Sequence, residues 1–250
     1  MGRFSKLSTT VKLEWFYLLL AILFAIYFWP KSNNKETLVD KKDSNSIPIA
    51  KPIIYELQTV KLDSILFHTT HNLFPASKAI SGITNFRTVR KLLKGRVEFD
   101  SNQIVLKINF KRGNTYSLVE GDYNSFIAYY PSEDILVCEG GHTSDVSFNL
   151  TTGETTDLAG NPLYIISDSK NEYRLNAYFG GQECYSYFIQ KKINGAFSKV
   201  IDLQEKLPNL CIIEDACWSN DRNLFIKAMM GGDENGNPSI QYYQLTIFEK

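Results

Sequence analysis

The sequence predicts an all-β domain of repeated four-stranded meanders, about four units with one short helix, preceded by a single transmembrane helix. Three observations predict it. A charge-free run, WFYLLLAILFAIYFW, extends from Trp15 to Trp29. Tyr and Phe are plentiful, at 14 and 16, while Met and His number three each. Aromatic side chains fit a pleated, half-buried surface. Finally, an apolar run ends in Gly-Gly three times, at Gly140, Gly180 and Gly231. The chain of 250 residues has room for one or two domains. Its 27 basic and 27 acidic residues balance, so no net field draws nucleic acid, and none is expected as a partner.

Residues 1–12 form a short basic tail carrying Arg3, Lys6 and Lys12. Residues 13–30 are the expected transmembrane signal anchor. As a helix, the run from Trp15 to Trp29 spans roughly 23 Å, against a hydrocarbon core of about 30 Å. Leu13 and the stems of Lys12 and Lys31 supply part of the missing length. Trp15, Tyr17, Tyr27 and Trp29 stand at its two ends, where amphipathic rings prefer the headgroup level. The run is apolar on every side, unlike a surface helix with one apolar stripe. The residues after it, FWPKSNNKET, offer no small-x-small cleavage site, so the segment reads as uncleaved. Its partner is the lipid bilayer. A short basic tail before a first apolar segment stays cytoplasmic, which makes this a single-pass membrane protein with an extracytoplasmic C-terminal domain. Residues 31–50 are a polar, solvated linker, and residues 51–250 are the folded domain.

Each Gly-Gly pair belongs to a similar unit. An apolar strand comes first, then a Ser/Asp/Asn-rich turn: PSED, SDSKNE or SNDRN. A second strand follows, then the glycines, a polar turn and a third strand. The first two units add a further turn, TTGE or KING, and a fourth strand. Turn clusters between alternating apolar runs mark hairpins. Counting back from the doublets, Ala177 matches Ala228, and Leu175 matches Ile226 and Ile135, on one buried face. The doublets lie about 40 and about 50 residues apart, a spacing typical of propeller blades. The fold class is therefore β-propeller-like. The glycines are expected to supply the positive φ of tight turns. They do not cradle phosphate, because strand-like segments follow them where a phosphate loop needs a helix.

A weaker unit without a doublet runs from Val97 to Glu120. The last unit stops after its third strand, and KPIIYELQTVKL, from Lys51 to Leu62, is the expected strand that fills its open edge. The one expected helix is NFRTVRKLLKG, with Asn85 as N-cap and Gly95 as stop. Its apolar face is Phe86, Val89, Leu92 and Leu93. Arg87, Arg90, Lys91 and Lys94 lie largely elsewhere on it.

The units resemble blades of WD-repeat-like β-propellers, most closely in CWSNDRNLFIKA. There, aromatic Trp218, Ser219, a polar turn and the strand from Leu224 follow the family order. The resemblance covers about Gly95 to Lys250. It implies an architecture with rigid, loop-lined faces and brings no catalytic residues with it.

No C-x-x-C pair occurs among Cys138, Cys184, Cys211 and Cys217. Buried free thiols are the plainer expectation. An exported domain would admit disulfides with three connectivities, although Cys211 and Cys217 in one strand would be held about 20 Å apart. His68 and His71 have helical metal spacing, but Thr69 and Thr70 lower helix propensity and no third ligand is evident. The DENGN stretch from Asp233 resembles a calcium loop, but Pro238 and Gln244 replace its glycine and its closing glutamate. No metal or cofactor is expected, and no catalytic motif is present.

Glu139 departs from the repeat, because Phe179 and Met230 hold its register. With His142 and Asp145 close by, it forms the candidate binding site. The expected role is an exported binding or scaffold domain that meets a protein partner at a loop face. Two other roles use the same features. One is an exported hydrolase acting through Glu139, Asp145 and His142. The other is a cytoplasm-facing membrane adaptor that uses the basic helix.

Overall fold

The structure is a computed structural model that describes residues 53–74, 77–119, 121–181, 184–220, 222–232 and 237–250. The expected tail, anchor and linker lie outside the described residues, as does the start of the DENGN loop. Among the described residues no helix is long and apolar enough to cross a membrane.

The domain is mostly sheet, folded as four antiparallel sheets. The first holds β2 (Val97–Phe99), β3 (Val105–Asn109) and β4 (Thr115–Ser117). The second holds β5 (Ser125–Tyr130), β6 (Ile135–Glu139) and β7 (Asp145–Asn149). The third holds β8 (Ile166–Ser167), β9 (Tyr173–Phe179), β10 (Tyr185–Ile193) and β11 (Ala196–Asp202). The fourth is β12 (Leu210–Trp218), β13 (Asn223–Met230) and β14 (Ser239–Glu249), with β1 (Tyr55–Leu62) at its edge. β1 runs antiparallel to β14, from Tyr55 opposite Glu249 to Leu62 opposite Tyr242. The N-terminal strand thus covers an edge the last meander would leave bare.

Among the described residues only two sheets reach four strands. The segment after TTGE, expected as the second sheet's fourth strand, forms one turn of helix, α3 (Thr156–Ala159). Ala159 is buried there beside Ala128, Ile135 and Val137. A Cβ on Gly160, which closes this helix at φ +63°, would lie 2.4 Å from the Asn176 amide. Any side chain there would collide with the Asn176 amide that donates to the Ala159 carbonyl.

The expected helix is α2 (Phe86–Leu92). The Asn85 side chain accepts from Thr88 N–H at 3.0 Å, and Gly95 follows at φ +85°. Val89 and Leu93 are buried against the first two sheets, whereas Leu92 is 57% exposed, a correction to the expected face. A further helix, α1 (Ser64–His71), was not expected. Asp63 caps it by accepting from Leu66 N–H at 2.7 Å. Phe67 is its only buried residue, so the segment carries no apolar periodicity.

The registered positions Ile135, Leu175, Ile226, Ala177 and Ala228 are all buried. Apolar clusters join the first sheet to the second and the third to the fourth, and Phe67 of α1 covers Phe225 on the fourth sheet's outer face. Polar contacts link the second and third sheets. Arg174 pairs with Glu133 at 2.6 Å, Phe179 N–H donates to Asp145 at 2.8 Å, and Asn176 donates to the Ala159 carbonyl at 2.9 Å. Asp134 anchors the second sheet's first turn. Its carboxylate accepts from both Arg96 amino groups at 3.0 and 2.8 Å, from Tyr129 at 2.8 Å and from Thr151 at 2.6 Å.

Cys184 and Cys211 form a disulfide that joins the third and fourth sheets, against the plainer expectation of four free thiols. Cys138 and Cys217 are free and buried. Cys211 and Cys217 do share one strand, β12, which rules out a bridge between them.

Candidate functional site

The three candidate residues lie where β6 turns into β7. Glu139 and Asp145 face each other as cross-strand partners, and His142 sits at the tip of the turn, exposed. Here the left-handed residues are His142 (φ +57°) and Thr143 (φ +61°), and neither glycine of the doublet has positive φ. Gly140 is needed for close approach. A Cβ on it would lie 2.6 Å from Ser144 Oγ and 2.8 Å from Val146 Cγ2. Of the described doublet glycines, only Gly181 has the positive φ expected of them, at +82°. A Cβ there would meet the His142 carbonyl at 3.0 Å, so the first two doublets pack on each other across neighbouring sheets.

Asp145 is engaged on both oxygens. One accepts from Asn161 at 2.9 Å and the other from Phe179 N–H at 2.8 Å. Burial pushes its carboxyl above the usual range, opposed by those two hydrogen bonds. The His142 ring has no hydrogen bond or ion pair among the described residues, and neither does the Glu139 carboxylate. The structure therefore brings Glu139 and Asp145 together by register, fixes Asp145 as a sheet-to-sheet clip and leaves His142 apart. A cavity of about 430 Å³ beside Gly140 and Gly141 is lined by Tyr116, Tyr123, Asn124 and Phe148, and by none of the three.

A larger cavity, about 480 Å³, opens at the opposite ends of the central strands β6, β9 and β13. Residues of the three Ser/Asp/Asn-rich turns line it: Glu133 from the second sheet, Ser167, Asp168, Ser169 and Asn171 from the third and Ser219 from the fourth. Ser77, Lys78 and Ile80, from the segment leading from α1 to α2, close one side. Asp168 shapes the middle turn, accepting from Glu172 N–H at 2.9 Å and Tyr173 N–H at 3.3 Å. Burial raises its pKa, and these backbone donors oppose the rise. Trp218 donates from Nε1 to the Ile166 carbonyl at 2.8 Å, clamping the third sheet to the fourth beside the cleft.

The cleft's charged floor is Arg174, only 3% exposed. Its Nε donates to Gln190 at 2.6 Å and its Nη1 to Glu133 at 2.6 Å. Its guanidinium carbon lies 3.8 Å from the Phe197 ring centroid. Burial lowers its pKa, and Glu133 works against that shift. Sequence reasoning read the polar turns as local hairpin devices and did not bring them together. The available signal was in YRLNAYF, where Arg174 and Asn176 interrupt an apolar strand at alternate positions.

His68 and His71 do lie on a helix. His71 Nε2 is 3.1 Å from Asp215, and both histidine rings pack near Phe67. No family model, curated protein or solved structure matches this chain.

Proposed function

We propose that this chain is a single-pass, membrane-anchored protein whose exported domain, a propeller-like array of meanders, is a binding module with its ligand in the turn-lined cleft. The observation that carries this reading is the convergence of three turns around a buried, charged arginine. Concave sites with a few convergent polar groups are where ligands bind. A buried guanidinium is costly unless its hydrogen-bonding capacity is used. Sheets that pack in chain order, with an N-terminal strand at the edge of the last, support the propeller-like description. The Cys184–Cys211 disulfide supports export, because such bonds persist in oxidising compartments.

Two measurements test the proposal. The full chain is expected to stay with membranes after a carbonate wash, and a mature chain beginning between Pro30 and Asn45 would replace the anchor with cleavage. Ser169 is exposed at the cleft, so Ser169→Trp should obstruct it without touching the core. Partner capture by the full chain should be lost in that variant at unchanged melting temperature. Capture that survives the obstruction places binding elsewhere.

A further inference from the structure

We infer that the cleft takes a small oxyanion, a carboxylate or phosphoryl group, held by Arg174 and Lys78. This deepens the binding reading of the same cleft and rests on it. Four charged side chains line the cavity: Lys78, Glu133, Asp168 and Arg174. The two acids are engaged. Glu133 is paired with Arg174, and both Asp168 oxygens accept from backbone N–H groups. The two bases are not saturated. Arg174 uses Nε and Nη1, and its Nη2 has no acceptor among the described residues. Lys78 is exposed at the rim and has no hydrogen bond or ion pair among the described residues.

A guanidinium holds five donors in a fixed fork that matches the spacing of carboxylate and phosphate oxygens. In Arg174 the fork is pinned by Gln190 and Glu133, so an arriving anion meets an oriented donor with little ordering left to do. Burial strengthens that hydrogen bond, because the local dielectric is low. Ser77, Ser167, Ser169 and Ser219 also line the cavity, and their hydroxyls make no hydrogen bond among the described residues. They supply neutral donors around the same point. The unengaged hydrogen-bonding groups are thus all donors or donor-capable, although the four charged side chains sum to zero. A cation would find no unengaged carboxylate, and a purely apolar ligand would leave Arg174 Nη2 unsatisfied.

Trp218 lines the same cavity and makes the site readable. The sequence has three tryptophans, and the other two are Trp15 and Trp29. The test uses the full chain in detergent carrying Trp15→Phe and Trp29→Phe, so that emission reports Trp218 alone. Sodium phosphate and sodium acetate are titrated separately at constant ionic strength, with chloride as the balancing anion. At least one is expected to give a saturable change. Saturation by phosphate alone identifies a phosphoryl-bearing ligand, and saturation by acetate alone a carboxylate. Lys78→Gln should weaken binding roughly tenfold and leave the melt unchanged. Arg174→Lys, which keeps the charge and loses the fork, should weaken it at least as much.

Arg174 is buried and its substitution could unfold the chain, whereas exposed Lys78 keeps the inference open to refutation. No saturable change with either anion overturns it, and so does wild-type affinity in Lys78→Gln. If anions fail while partner capture remains sensitive to Ser169→Trp, only the oxyanion inference falls. If both fail, the cleft is not the binding site.

Discussion

Breaking the Cys184–Cys211 disulfide should destabilise the domain by an amount that its position sets. The bond closes a loop of 27 residues containing β10 and β11, and it ties the third sheet to the fourth. Chain-entropy cross-linking over such a loop contributes roughly 3.5 kcal/mol at 25 °C, and losing a native bridge typically costs about 2–5 kcal/mol. The apolar interface it spans is also held by Tyr187, whose hydroxyl oxygen accepts from Ile213 N–H at 2.8 Å, and by the Trp218 clamp. The sheets should therefore stay folded without the bond, at a lower melting temperature. For a domain of this size about 3.5 kcal/mol corresponds to roughly 7–14 °C. Calorimetric melts of wild type, with and without reductant, and of Cys184→Ser/Cys211→Ser measure it. Thiol counting after non-reducing denaturation should find the two free cysteines, Cys138 and Cys217, and no more. Four reactive thiols, or a melt indifferent to reductant, would refute the reasoning.

Gly140→Ala should cost about 1–3 kcal/mol by overpacking against Ser144 and Val146. Gly180→Ala, whose Cβ meets nothing within 4 Å, should be near neutral, and equal denaturant midpoints for the two would remove the close-approach role of Gly140. Burial alone would raise the Asp134 carboxyl, but hydrogen bonds from Arg96, Thr151 and Tyr129 outweigh it and hold the group below the usual carboxylate range. A lowered folded pKa gives stability that is present above the unfolded value of about 3.9. That stability is lost as pH falls through the folded pKa. Asp134→Asn should thus cost about 2 kcal/mol at neutral pH. Its melting temperature should then fall less steeply than wild type below pH 4, and parallel curves would deny the network this role. Deleting residues 51–62 should lower the melting temperature sharply, because it bares the β14 edge and removes Leu57 from the core. An unchanged melt would show that β1 contributes nothing to the fourth sheet.

The meanders were legible because strand periodicity is local. Once the doublets were aligned, Ala177 and Ala228 had to share a face, and both are buried. The open edge of the last unit likewise pointed to an N-terminal strand. What stayed hidden depends on distant contacts. α1 is anchored by one aromatic, Phe67, against Phe225 and Tyr242, a partnership no period can reveal. The segment at Thr156 turns helical so that Ala159 can cover the second sheet, and Asn176 receives it from the third. Of three possible cysteine connectivities, sequence argued only against the one that pairs Cys211 with Cys217, and their shared strand β12 settles that point. Glu139 stood out because its register was apolar elsewhere, and it stands half-buried at the end of β6. Arg174 broke the pattern more deeply, inside a strand buried on both faces, and that position lines the cleft.

The most direct test of an exported domain with an open turn face is thiol labelling of Ser169→Cys in intact cells with a membrane-impermeant maleimide. The native cysteines provide the blank, since two are bonded and two are buried. Wild type should remain unlabelled, and Ser169→Cys should be labelled from outside before the membrane is opened. Labelling that appears only after cell lysis would place the domain in the cytoplasm, and none even then would mean that the turn face is closed.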